Sequence, residues 1–359
     1  MAMLASLCYL HGHAGRFDMN MLVADIGGTQ SRFFMFSCED REISIKKGIV
    51  LSSRSSSFDA LLEEFCTKWP DGEKSLKDVA LLVFAAAGPV RDGRVVMTNA
   101  SFVVEAAPAE ARFPGARCLV MNDFEAQAWA CLTPVMREAE LVLPGRLNTG
   151  TTFGEGLEAL SGRRGDKAPV AVTGAGTGLG AAWLIPGRDG AAPFVLPSEA
   201  GHMAFPFESG EERAFASFLA ERREGGPVTA EHVLSGPGLA LLYEHLYGLA
   251  RDPAAFTREA DFASSSCCRL FARFYGRFCR MIALALLPQA LALTGGVAGK
   301  TPALARHPEF AREFLRASGG RREFLEGLPV WLNVHPQAGL WGAARAGAFF
   351  STRAGNDAR

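Results

Sequence analysis

Apolar and polar positions follow two rhythms along the chain. Met21-Leu22-Val23-Ala24 is an unbroken apolar run, as expected of a strand covered on both faces. A tight turn follows at Asp25-Ile26-Gly27-Gly28-Thr29, then a returning strand from Ser31 to Phe36 and a third from Glu42 to Leu51. The period then changes. Ser57 caps an amphipathic helix whose Phe58, Leu61, Leu62, Phe65 and Trp69 share one face and read as core. Val79 to Ala86 is a buried strand ending at Gly88-Pro89, and Asp92-Gly93 turns a hairpin into Arg94 to Asn99. The apolar run Cys118 to Met121 closes this βββαβ-like half, and a helical pattern starts at Phe124.

The second half opens as the first did. Pro169 to Thr173 reads as a strand, Gly174-Ala175-Gly176-Thr177-Gly178 as a glycine turn, and Leu179 to Ile185 as a returning strand. Ser235 with Gly236-Pro237 starts a helix that buries Leu239, Leu242 and Leu246. Phe271 to Leu287 is a strongly apolar helix ended by Pro288. Ala290 to Leu293 is a strand that enters a third glycine turn, Thr294-Gly295-Gly296-Val297. Val330 to Val334 forms a final strand, and Gly339 to Phe350 a final helix that folds back onto the first domain. Ala106 to Gly115 reads as a surface connection, and Pro144 to Lys167, rich in Gly, Thr and Arg, as a long loop or insertion.

With 359 residues, two domains are expected. A net charge of −1 gives no electrostatic case for nucleic acid or a membrane surface, and no apolar run is long enough to span a bilayer. The eight cysteines are scattered without Cys-x-x-Cys, which suits buried thiols in a reducing, cytoplasmic setting. Residues 1–20 lack the basic start of a signal peptide; they read as an unstructured extension, or as a start placed too early, with Met19 or Met21 the true one.

The candidate chemistry stands at strand ends. Asn122 and Asp123 lie between a strand and a helix, where open α/β sheets bind ligands. There a carboxylate can take a proton from a substrate hydroxyl; the alternative is a helix cap. At the first turn, Gly27 and Gly28 let backbone N–H groups approach an anion, Thr29 offers a hydroxyl, and Asp25 a carboxylate for hydrated Mg²⁺. An ordinary glycine hairpin reads equally well there. Two such turns in matching positions suggest a duplicated fold that pinches the phosphates of one nucleotide. Glu199 and His202 stand on a loop bounded by Pro197 and Gly201; together they suit sugar hydroxyls, with a zinc site or a plain surface loop as the rival readings.

In their order, Asp25 to Thr29, Met97-Thr98-Asn99, Asn122-Asp123-Phe124, Gly174 to Gly180, Glu199 to His202, Glu231 to Leu239 and Thr294 to Val297 resemble the bacterial glucokinases, within the actin/hexokinase/Hsp70-like ATPase superfamily. The resemblance runs from about Met21 to about Phe350. It implies a duplicated ribonuclease H-like (actin-like ATPase) fold, two α/β domains with mixed sheets flanked by helices and a cleft between them. Expected boundaries are 1–20 for the extension, 21–133 plus about 345–359 for a small domain, and 134–344 for a large one. The implied reaction is ATP-dependent phosphorylation of glucose to glucose 6-phosphate, with Mg²⁺ and with Asp123 as base on the 6-hydroxyl. The resemblance also implies that Asn99, Asn122, Glu199, His202 and Glu231 hold the other hydroxyls. By the same likeness Gly27, Gly28, Thr29, Gly174, Gly176, Thr177 and Gly178 cradle phosphate, Asp25 faces the metal, and Gly295 and Gly296 line the adenosine site. A homodimer through the large domain is expected. Gln30, Ser31, Ser198, Ala200 and His335 to Gly339 depart from the family's usual residues. The added Cβ atoms at Ser198 and Ala200 are expected to narrow the pocket or shift Glu199. Another hexose on the same scaffold, or a non-catalytic sugar sensor, are the alternatives.

Overall fold

The computed structural model describes residues 18–354 apart from 41, 53–54, 98–99, 101, 165–167, 188–191 and 224. Asn99 lies outside the described residues. The chain divides into two compact units: the described residues up to Val135, with those of the stretch ending at Val195 and those from Gln337 onward, form the first; Met136–Arg188 and Leu196–Pro336 form the second.

The first unit is built on a five-stranded mixed sheet. Its strands are β1 (Met19–Ile26), β2 (Gln30–Glu39), β3 (Glu42–Ser52), β4 (Val79–Ala86) and, after the small meander β5 (Val90–Arg91), β6 (Arg94–Val96), β7 (Val103–Glu105), the edge strand β8 (Arg117–Asn122). The order is β3-β2-β1-β4-β8. β1 is antiparallel to β2 and parallel to β4, and β4 is parallel to β8. Met21 to Ala24 have no exposed surface, because helices cover both faces of β1. One face packs on helix Phe58–Lys68, whose N-cap Ser57 accepts the Ala60 N–H. The other packs on helices Asp123–Ala130 and Ala338–Ala354. These two helices cross so closely that a Cβ on Gly342 would lie 1.8 Å from the Ala126 carbonyl.

The second unit repeats the plan. Its strands are β9 (Glu140–Leu143), β10 (Val170–Ala175), β11 (Leu179–Ile185), β12 (Phe194–Ser198, of which Leu196–Ser198 belong to this unit), β13 (Ala290–Thr294) and β14 (Val330–Leu332). They run in the order β12-β11-β10-β13-β14-β9. β10 is antiparallel to β11 and parallel to β13, and β13 is parallel to β14. Its core is covered by helix Ser266–Leu286, which starts earlier than its apolar pattern because Ser265 accepts the Cys268 N–H at 3.1 Å. The helix stops where Leu287 turns left-handed (φ 47°) ahead of Pro288.

Two stretches expected to be irregular are helical. Ala106–Arg112 forms a short helix, and Phe153–Arg164 a longer one within the supposed insertion. Thr152 and Glu155 cap the longer helix: the Thr152 N–H donates to Glu155 at 3.0 Å and the Glu155 N–H to Thr152 Oγ1 at 3.4 Å. Gly156 is not a loop signal here but a place where Trp331 comes close; a Cβ would sit 2.7 Å from its ring. Cys131, Cys267 and Cys268 are buried and free, and burial pushes their thiols up to about 12, 12 and 11. Among the described residues no helix is long and apolar enough to cross a membrane.

Candidate active site

In the first unit Asn122 does cap its helix. Its Oδ1 accepts the N–H groups of Phe124 (2.9 Å) and Glu125 (3.2 Å), while Nδ2 donates to the Gly88 carbonyl at 3.0 Å. The cap and the ligand-facing reading are therefore compatible rather than exclusive. With Asn122 as hinge between β8 and the helix, Asp123 becomes the first helical residue. Its carboxylate stands at a helix N-terminus, where the backbone dipole favours negative charge, and Oδ1 accepts the Phe124 N–H at 2.9 Å. Two residues on, in the same first turn, burial raises the carboxyl of Glu125 above its ordinary range.

The turn between β1 and β2 is closed by the Gly27 N–H donating to the Gln30 carbonyl at 3.1 Å, and it leaves Thr29 exposed. Asp25 is the last-but-one residue of β1 and pairs in register with Arg32 on β2. Arg32 Nη1 donates to Asp25 Oδ2 at 3.2 Å. Burial pushes the Asp25 carboxyl upward and the guanidinium pulls it back, with a net rise. Sequence reading missed Arg32, although antiparallel alternation across a short turn is enough to place it opposite Asp25.

The matching turn of the second unit is held from inside and from the side. The Gly176 N–H donates to the Gly178 carbonyl at 2.7 Å, and the Gly236 N–H to the Gly176 carbonyl at 2.8 Å. A Cβ on Gly174 would lie 2.0 Å from the Thr294 carbonyl, and one on Gly295 (φ 89°) 2.5 Å from that of Ala175. The turns after β10 and β13 thus pack backbone against backbone. Beyond that contact, Gly296 opens onto space with no atom within 4 Å of an added Cβ, and Gly295 gives its helix no side-chain cap. Thr177 is exposed on the same turn.

Three of the expected hydroxyl-binding residues come together in the second unit. Glu199 precedes a single 3₁₀ turn, Ala200–His202, which sets His202 Nδ1 3.0 Å from Glu199 Oε2. His202 Nε2 faces Glu231 Oε1 at 4.0 Å, and Glu231 Oε2 accepts the Leu179 N–H at 2.9 Å. Glu231 is fixed by its short helix, Ala230–Val233, where Thr229 and His232 form the cap. Burial, helped by Arg223, keeps the His232 imidazole below its ordinary pKa. Leu179 is gripped twice, since its carbonyl lies 2.0 Å from where a Cβ on Gly201 would stand. The Glu199–His202 loop and the glycine turn therefore share one backbone anchor, a link that residue spacing alone does not reveal.

The departures at Ser198 and Ala200 have local packing and hydrogen-bonding roles. The Ala200 methyl belongs to the hydrophobic core, and Ser198 Oγ accepts the Ala200 N–H at 3.0 Å. Both stiffen the loop. Among the described residues no group of three or more His, Cys, Asp or Glu side chains could hold a metal ion. A hydrated Mg²⁺ does not require one: it takes one or two carboxylates plus substrate phosphates, and Asp25 beside the glycine turn fits that role. The open backbone at Gly296 and the glycine-rich turn at Gly174 to Gly178 fit a nucleotide in the same sense.

Two mixed sheets, each containing a strand, a glycine turn and a returning strand, define the duplicated fold of the actin-like sugar-kinase ATPases. Residues 22–348 match the sequence profile of the family described as Glucokinase. A glucokinase of Shigella dysenteriae serotype 1 is 32% identical over 345 residues, spanning 90% of this chain and 95% of the relative. Among solved structures, the glucokinase of an Antarctic psychrotroph superposes with a TM-score of 0.68 at 25% identity, over 92% of this chain and 99% of that one. A Balamuthia mandrillaris glucokinase solved in complex with glucose gives a TM-score of 0.72 at 17% identity, covering 96% and 98%. The chain belongs to the glucokinase family of ATP-dependent hexose kinases.

Proposed function

We propose that this enzyme transfers the terminal phosphoryl group of ATP to the 6-hydroxyl of glucose, with Asp123 as general base. The observation that carries the sugar assignment is the cluster of Glu199, His202 and Glu231: two carboxylates and an imidazole, half-exposed, within 3.0 and 4.0 Å of each other. Such a set presents acceptors and a donor to adjacent hydroxyls while repelling nothing neutral. Asn122 contributes through the amide hydrogen its cap leaves unspent, and Asn99 joins it in the proposed contact shell.

Phosphoryl transfer asks the protein for position and charge neutralisation more than for covalent chemistry. Asp123 accepts the 6-hydroxyl proton late, as the oxygen bonds to phosphorus, so an ordinary carboxylate suffices. The turn at Gly27 to Thr29 and that at Gly174 to Gly178 supply N–H groups to the phosphates, and Gly295 and Gly296 receive the adenosine. Asp25 would hold Mg²⁺ through water, which neutralises phosphate charge when bound. A homodimer through the 134–344 domain, with a small domain of 21–133 plus about 345–359, and a cytoplasmic location complete the reading.

The test is a coupled assay of nucleoside diphosphate release with Mg-ATP and a panel of hexoses, with Asp123→Asn as the blank. Turnover with glucose that vanishes in the mutant is expected. Turnover with a different hexose would move the substrate and keep the mechanism. Protein that binds glucose but turns over no hexose would make the chain a sensor.

A further inference from the structure

A concave site lies within the second unit, lined by none of the residues assigned above. It is a cavity of about 590 Å³, within the size range of small-molecule pockets, and five arginines line it against three glutamates. Floor and rim differ in kind. The floor is Arg277, whose side chain is 1% exposed. It donates to both oxygens of Glu212 (2.6 and 3.0 Å), to Glu313 (3.0 Å) and to the Pro206 carbonyl (2.7 Å). Glu212 in turn accepts the Glu208 N–H at 2.7 Å. Four of the five Arg277 N–H donors are spent in this network, which ties three segments together.

The rim is made by Arg312, Arg316 and Arg322, with side chains 65%, 59% and 57% exposed. Each meets its nearest carboxylate through a single nitrogen: Arg312 through Nη2 to Glu309, Arg316 through Nη1 to Glu208, and Arg322 through Nε to Glu326. The other two nitrogens of each guanidinium have no protein partner among the described residues. A guanidinium is charged at every physiological pH and offers five donors in a planar fork, so each rim arginine keeps hydrogen-bonding capacity in reserve. Three such forks around one cavity match the tetrahedral, multiply charged oxygens of a phosphoryl group better than the single plane of a carboxylate.

We infer that this cavity is a binding site for a phosphorylated metabolite of sugar-phosphate size, distinct from the catalytic site, held by Arg312, Arg316 and Arg322 over the Arg277 floor. Exposed ion pairs are worth little and are easily exchanged, so an entering phosphoryl group recruits the rim without dismantling the fold. The inference does not rest on the sugar or nucleotide assignments.

The test uses the full chain, pre-saturated with glucose and a non-hydrolysable ATP analogue and with no added divalent metal, titrated calorimetrically with inorganic pyrophosphate and, separately, with citrate. Pyrophosphate should bind one site per chain, and the triple variant Arg312→Gln/Arg316→Gln/Arg322→Gln should lose at least about tenfold in affinity, since each bond lost is charge-assisted. A thermal melt of the variant within a few degrees of the parent shows that the rim, not the fold, was removed. No pyrophosphate binding, or binding that the triple variant retains, overturns the site. Citrate binding as tightly as pyrophosphate overturns the phosphoryl assignment.

Discussion

The two glycine turns occupy equivalent places in the duplicated fold and do different work. In the first unit Asp25 pairs with Arg32 across the turn and with Ala85 on the neighbouring parallel strand. In the second unit the equivalent register holds Gly174, opposite Gly180 and beside Thr294. A charge pair in one copy is two glycines in the other. The second copy lacks room for a side chain, because the turn after β13 lies directly on it. The first copy carries charge, and the second carries bare backbone. The two turns share a register and differ in what packs behind them: Arg32 across the first, the turn after β13 against the second.

The comparison breaks most visibly at the charged side. Asp123→Asn should lower kcat by about 10²–10⁴-fold, the usual worth of a positioned base, while glucose binding by calorimetry largely survives. The cluster of Glu199, His202 and Glu231 in the second unit is untouched by the change. A fully active mutant would remove Asp123 from the chemistry. Asp25→Asn should also reduce kcat, but without loss of stability. Burial works against the Asp25 charge, so a neutral amide relieves that cost. A lowered melting temperature would show that the Arg32 pair holds the turn together instead.

The bare-backbone side should respond in stability first. Gly174→Ala places a methyl 2.0 Å from a carbonyl oxygen, and the turn after β13 must shift. A loss of about 1–3 kcal/mol in denaturant unfolding is expected. Gly296→Ala meets nothing within 4 Å, so stability should change by less than about 0.5 kcal/mol while the KM for ATP rises. An unchanged KM would take Gly296 out of the adenosine site.

Much of this contrast was legible in the residues. Apolar runs and glycines located β1, β10, β13 and their turns, because a strand buried on both faces cannot hide its pattern. The junction at Asn122 and Asp123 was legible for the same reason. What escaped was tertiary. Arg32 looks like any exposed strand arginine until its register partner is known. Glycines and threonines near Phe153 read as a loop, although Thr152 and Glu155 carry the spacing of a capping box and Gly156 is small only because Trp331 packs on it. The grip of Glu231 and Gly201 on Leu179 joins three separated segments, and no local signal records it.

The smallest effect sharpens the comparison without mutation. In the second unit burial lowers His232, His245 and His307 below 6.5. There too Glu212 and Glu309 are lowered: burial opposes their charge, but hydrogen bonds from Arg277 and Arg273 outweigh it. A histidine depressed in the folded state is protonated first in the unfolded chain, so its contribution is full above about 6.5 and falls as pH drops below that. The lowered glutamates add to the loss further down, as pH falls through their unfolded range near 4.5. In the first unit the sign reverses. Asp25 and Glu125 are raised, so the folded state takes protons before the unfolded one and gains stability as pH falls toward their ordinary values. Amide hydrogen exchange between pH 7 and 5.5, corrected for intrinsic rates, should therefore quicken in the strands of the second unit and not in those of the first. Equal quickening in both would mean that the unfolded-state protons are taken up by groups common to the two copies, and the electrostatic difference between them would be confined to the turns.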